Sequence, residues 1–163
     1  MLHITIISVG KLKEQYWKDA EKEYLKRLSA FAKVEIKELK EESFTEKDNV
    51  EMIKQKEAEK IKDAIPKDSL VIALDKEGKQ YSSEKLSEFF HNETMGQPAC
   101  AGRRNNVTLI IGGPLGLHSS ILQLFQQRLS LSSLTFTHQM SRVILLEQIY
   151  RGFMIKENRK YHY

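Results

Sequence analysis

Cysteine is almost missing from this 163-residue chain: Cys100 stands alone, so no intrachain disulfide can form, and a reducing, cytoplasmic setting is the expectation. No apolar run approaches the ~18 residues that a membrane span needs. The apolar opening Leu2–Val9 lacks a basic stretch before it and a small-residue cleavage site after it. It reads as a first strand, not a targeting signal. The five histidines and Cys100 show none of the paired spacings that metal sites use, so no metal is expected. There is no Gly-x-Ser-x-Gly elbow of a serine hydrolase. Neither is there a dinucleotide fingerprint or a phosphate loop ending in Gly-Lys-Ser/Thr. Internal repeats and low-complexity tracts are lacking too.

What is present is a chain of ordinary single-domain length, 1–163, able to bury a core without covalent staples. Its formal charge of +4 is unevenly spread. Residues 1–65 carry 14 Lys/Arg and 14 Asp/Glu, whereas residues 99–163 carry 8 Lys/Arg against only Glu147 and Glu157. A basic excess in one part fits an anionic partner, nucleic acid being the commonest large one, and fits a plain solvated surface equally well.

Apolar strand-like runs alternate with helical patterns. After Leu2–Val9, Trp17, Ala20, Tyr24 and Leu28 recur at three- and four-residue spacing on one helix face. Val34 and Ile36 mark a second strand, and a charged helix runs from Glu46 to Ile65, where Pro66 stops it. Ser69–Leu74 reads as a third strand, Lys76-Glu77-Gly78-Lys79 as a turn, and Ser83 as the cap of a helix reaching Thr94. A loop from Gly96 to Asn106 holds Arg103 and Arg104. Val107–Ile111 is a fourth strand, followed by a helix from His118 to Phe125 and a last helix from Gln139. This alternation predicts an α/β fold, a parallel sheet with helices on both faces, with ligands beyond the carboxyl ends of the strands. The last helix is apolar nearly all round, which favours a helix covered by its own core and by a second subunit in a homodimer, with a central core helix in a monomer as the alternative.

The least generic segment follows the fourth strand. Gly112-Gly113-Pro114-Leu115-Gly116 offers a backbone that a ligand can approach without a Cβ in the way. Leu129–Phe136 interleaves Ser130, Ser132, Ser133 and Thr135 with Leu and Phe, a wall that presents hydroxyls and apolar surface together. Taken with His138-Gln139-Met140 and Arg142, Glu147-Gln148, Tyr150-Arg151, the terminal Tyr161-His162, and the upstream Ile4–Lys13, Leu74-Asp75 and Gly78-Lys79, the chain resembles the ribosomal RNA large-subunit methyltransferase H family of the SPOUT methyltransferases. The likeness spans essentially the whole length.

That resemblance implies a homodimeric α/β enzyme with a C-terminal trefoil knot. It implies methyl transfer from S-adenosylmethionine to N3 of a pseudouridine in 23S ribosomal RNA of the assembled ribosome. Carried over by position, Leu74, Gly112 and Leu131, Ser132, Ser133, Leu134, Thr135 and Phe136 enclose the cofactor. Such a cofactor brings its own leaving group, so no covalent nucleophile is required, only alignment and a group that favours the deprotonated nitrogen. His138, Arg142, Tyr161 and His162 are the candidates. Each has a plainer role beside it. His138 can order the first helical turn, and Arg142 can pair with a carboxylate such as Glu147 across the dimer; Tyr161 and His162 can be a frayed end or, for Tyr161, a stacking platform for an unpaired base. The sequence departs from relatives in ending on Tyr163, in a longer Gly96–Asn106 loop, and at Ser133 and Thr137. Two other classes stay open at this point: a ribosome- or RNA-binding module without activity, and a nucleotide-dependent oxidoreductase.

Overall fold

The computed structural model describes residues 1–94, 105–125 and 127–161. Arg103, Arg104 and most of the expected Gly96–Asn106 loop, together with Cys100, His162 and Tyr163, lie outside them.

Among the described residues ten elements alternate: β1 (Leu2–Val9), α1 (Gln15–Leu28), β2 (Ala32–Leu39), α2 (Val50–Ala64), β3 (Leu70–Lys79), α3 (Ser83–Thr94), β4 (Asn106–Ile111), α4 (Ser119–Leu124), β5 (Gln127–Leu129) and α5 (His138–Lys156). The strands form one sheet in the order β2-β1-β4-β3-β5. Every pairing is parallel. The α/β class read from the sequence is therefore the observed one.

The central strands are apolar on both sides because both sides are covered. In β1, Leu2, Ile4 and Ile6 join Leu109, Ile111, Leu145, Leu146 and Ile149 in one core layer, where α1 and α3 pack against α5. The alternate residues Ile7 and Val9 join Ile110, Val71, Ala73, Ala58, Ile61 and Ile121 in a second layer beneath α2 and α4. Period-two alternation thus feeds two cores from a single run. α5 spends its apolar residues on α1, α3 and the sheet, with Leu145, Leu146, Ile149 and Met154 buried.

Three boundaries differ from the sequence reading. α2 starts at Val50, not Glu46, because the Asn49 side chain accepts hydrogen bonds from the Glu51 and Met52 amides and so caps the helix there. At α3 the capping oxygen belongs to Ser82, which accepts from the Lys85 amide at 3.3 Å. Ser83 instead donates to Gln148 Oε1 at 2.8 Å, tying α3 to α5.

The third difference is structural as well as positional. Lys76–Lys79 is not a turn that ends the strand; β3 continues through it with a bulge, Leu74 and Lys79 both pairing with Leu129. Gly78 permits this, since a Cβ there would lie 2.7 Å from the Leu129 carbonyl carbon. The rejoining strand is too close to β5 for any side chain.

Candidate active site

The five described strands point the same way, so their carboxyl ends share one edge of the sheet. A cleft of about 1040 Å³ opens there, at the ends of β3, β4 and β5 and against the start of α5. A parallel α/β sheet places ligands at this edge.

Its floor is the glycine turn after β4. Gly116 adopts φ +78°, and its amide donates to the Gly113 carbonyl at 2.9 Å, closing a tight turn. The spacing of the glycines has a more specific cause than open approach to a ligand. A Cβ on Gly112 would meet the Gly116 carbonyl carbon at 3.0 Å and Leu117 at 3.1 Å, and one on Gly113 would meet Val9 Cγ1 at 3.1 Å. Gly112 therefore lets the turn fold back on itself, and its bare backbone lines the cleft as a result.

One wall is the segment after β5. Ser130 Oγ donates to the Ser132 carbonyl at 2.9 Å, and Ser132 Oγ accepts from the Leu134 amide at 3.0 Å. These hydroxyls shape the loop around a polar spine and turn Leu131, Leu134, Thr135 and Phe136 to the cleft. Leu134 is 70% exposed, an unusual position for a large apolar side chain.

Of the eight positions carried over for the cofactor, Leu74, Gly112, Leu131, Ser132, Leu134, Thr135 and Phe136 line this cleft and Ser133 does not. Ser133 is exposed to solvent.

His138 also lines it. Thr137 caps α5 by accepting from the Met140 amide at 3.3 Å, so the imidazole leaves the helix from its first turn. His138 Nε2 is buried without a hydrogen-bond partner among the described residues. Gln139 accepts from the Lys13 amide at 2.7 Å, which fixes the loop after β1 beside the same helix end.

Arg142 stands one turn further on and does not line the cleft. Only 2% exposed, it donates from Nη2 to Glu38 Oε1 at 2.6 Å and from Nε to Glu21 Oε2. Within the chain its carboxylate partners are thus Glu38 and Glu21, while Glu147 accepts from Arg151 within α5, at 2.6 Å from Nη2.

Tyr161 is likewise away from the cleft of its own chain. Its ring meets Tyr150 edge-on at 4.9 Å, with the Arg151 guanidinium 4.9 Å above it, and its hydroxyl donates to Glu147 Oε1 at 3.3 Å. Burial, with the neighbouring Tyr24 and Glu147, pushes its pKa well above the ordinary tyrosine value and keeps the hydroxyl a donor.

Among the described residues, four arginines of the carboxyl end are paired inside the chain: Arg128 with Asp75, Arg142 with Glu21 and Glu38, Arg151 with Glu147, Arg159 with Glu157. Among the described residues no group of three His, Cys, Asp or Glu could hold a metal ion, and no helix is long and apolar enough to cross a membrane.

The sequence reading missed Asp75, Lys76, Glu77 and Arg128 as cleft residues. The signal was there in Gly78, a glycine inside a strand-like run, which marks a bulge as readily as a turn.

Comparison with known proteins places the chain. The family model described as predicted SPOUT methyltransferase matches residues 2–162. The ribosomal RNA large subunit methyltransferase H of Pelotomaculum thermopropionicum is 42% identical, over 100% of both chains. Those of Clostridium botulinum (strain Eklund 17B) and Clostridium acetobutylicum are 47% and 43% identical, each over 99% of both chains. Similarity of this depth over the full length, on a parallel sheet with a glycine-turn cleft at its carboxyl edge, means that the chain belongs to the ribosomal RNA large subunit methyltransferase H family of SPOUT methyltransferases.

Proposed function

We propose that this chain uses S-adenosylmethionine to methylate N3 of a pseudouridine in 23S ribosomal RNA of the assembled ribosome. It acts as a cytoplasmic homodimer of one SPOUT domain, residues 1–163, with the C-terminal trefoil knot that its family implies. The observation that carries this reading is that the cleft is lined by Leu74, Gly112 and the Leu131–Phe136 segment, the positions carried over for the cofactor, apart from Ser133.

The fit is chemical as well as positional. The volume is ample for a nucleoside with an amino-acid tail. Leu74, Leu131 and Phe136 offer apolar surface to a purine, and the turn at Gly112 and Gly113 offers backbone groups. S-Adenosylmethionine, when bound, supplies an electrophilic methyl on a positively charged sulfur. The protein's share is to align the attacking nitrogen, exclude water, and favour the deprotonated form of the base.

His138 is the residue for that last task, since among the described candidates His138, Arg142 and Tyr161 it alone lines the cleft of its own chain. Arg142 is a positioning residue: one turn after His138, its two ion pairs anchor α5 to α1 and β2 and so hold His138 in place. Tyr161 and His162 act on the cleft of a second copy, because Tyr161 is held on the Tyr150-Arg151 face of α5, which does not line its own cleft. There Tyr161 stacks on the target base and His162 completes the group that handles its proton.

Two measurements test the reading together. Calorimetry with S-adenosylmethionine should give saturable one-site binding, and methyl transfer to ribosomes from a strain lacking this enzyme should restore one methyl at the pseudouridine. Binding without transfer to any ribosomal substrate would favour a non-catalytic ribosome- or RNA-binding module. Binding of NAD in place of S-adenosylmethionine would favour the oxidoreductase.

A further inference from the structure

The β3 bulge puts chemistry at the cleft that the family resemblance did not assign. Leu74 and Lys79 pair with the same residue, Leu129, so the four residues between them leave the ladder. Asp75, Lys76 and Glu77 consequently line the cleft. Lys76 and Glu77 are exposed, but the Asp75 side chain is only 13% so. Its Oδ2 accepts from Arg128 Nη1 at 3.2 Å, across from β5. Among the described residues Arg128 is its hydrogen-bond partner, which leaves Oδ1 available to a ligand.

A carboxylate in this state favours one kind of partner. Arg128 already balances its charge, so a second cation would have to compete with a guanidinium for the same group. An anion would be repelled. A neutral hydroxyl donates to the remaining oxygen without displacing anything, and a hydrogen bond to a charged acceptor is the stronger kind. The position also matters, next to Leu74 at the carboxyl edge of a parallel strand. Acidic residues at this edge bind ribose hydroxyls in other open α/β sheets.

We propose that Asp75 binds the ribose hydroxyls of an adenosyl ligand in the cleft, with Arg128 holding the carboxylate in orientation. This rests on the reading that the cleft takes S-adenosylmethionine, and it adds a specificity residue to that site.

The test is calorimetry with S-adenosylhomocysteine and its 2′-deoxy and 3′-deoxy analogues, on the wild-type chain and on Asp75→Ala and Asp75→Asn. Wild type should prefer the ribose compound over at least one deoxy analogue by about 10-fold or more, the scale of a hydrogen bond to a charged group. In Asp75→Ala the ribose compound should weaken by a similar factor, while that deoxy analogue stays within about threefold of its wild-type affinity. Equal weakening of all three compounds would show that Asp75 only shapes the bulge, and no weakening would show that it is idle; either result overturns the proposal. If the alanine variant does not fold, judged by near-ultraviolet circular dichroism, the near-isosteric asparagine variant carries the same comparison. Failure of the wild-type chain to bind any of the three compounds would overturn the adenosyl cleft itself and this inference with it, a result distinct from a lost ribose preference.

Discussion

Gly10 lies directly against His138: a Cβ on Gly10 would stand 2.9 Å from the imidazole Nε2 and 3.3 Å from Cδ2. Gly10 also has φ +95°, a conformation that glycine adopts without strain and other residues avoid. The end of β1 and the start of α5 are thus pressed together at His138, which lines the cleft.

Gly10→Ala should displace the imidazole and lower stability by about 1–3 kcal/mol, the usual range for a strained backbone position. Methyl transfer should fall by about 10-fold or more while cofactor affinity stays within about threefold, because the donor pocket is built from other residues and an ångström of misplacement is costly to alignment. Thermal unfolding, calorimetry and the ribosome assay separate the three quantities. An alanine variant with full turnover would remove His138 from the mechanism.

Arg142→Ala removes the cation that two carboxylates share. Breaking a buried ion pair by deleting one partner costs roughly 3–5 kcal/mol, and the low end applies here because the Glu38 side chain is 31% exposed. Urea unfolding should show the loss. Adding Glu21→Gln and Glu38→Gln should recover part of it, since uncharged partners no longer repel. A single variant as stable as the wild type would mean that the ion pairs do not anchor α5.

Glu57 gives the fold a pH response. The residue is 5% exposed, and burial raises its pKa despite the hydrogen bond from the Glu42 amide at 3.1 Å and the charge of Lys60; the carboxylates of Glu42 and Glu41 push the same way as burial. A raised native pKa means that the folded state binds more protons than the unfolded one between the ordinary value of 4.5 and the native value. Stability therefore falls as pH rises through that window and stays reduced above it. Glu57→Gln keeps the acceptor for Glu42 and abolishes the titration. The stability of the variant relative to wild type, measured by denaturant unfolding from pH 4 to pH 8, should increase with pH and then level off. A difference that shrinks with pH would contradict the burial argument.

The sequence was most legible where structure depends on neighbours along the chain. Leu2–Val9 announces a strand buried on both faces, and the glycine turn and the Leu129–Phe136 run announce the cleft, because each is a contiguous pattern. Features made by distant partners were not readable. Arg142 meets Glu38 and Glu21 across 104 and 121 residues, and Arg128 meets Asp75 across 53. No local pattern encodes such meetings. Gly78 shows the intermediate case, a residue correctly seen as special whose reason, the close backbone of Leu129, lies on another strand.

The strand order bears on how the chain is made. β1 sits between β2 and β4, and its register with β4 begins with His3 opposite Asn106. During synthesis its second edge stays open until β4 has left the ribosome, so a nascent chain carries an apolar strand with unpaired amides for most of its elongation. Contacts of such sequence separation form slowly, and an open apolar edge recruits other strands meanwhile. Truncated products that end before residue 106 are the species most exposed to aggregation, and to early capture by chaperones.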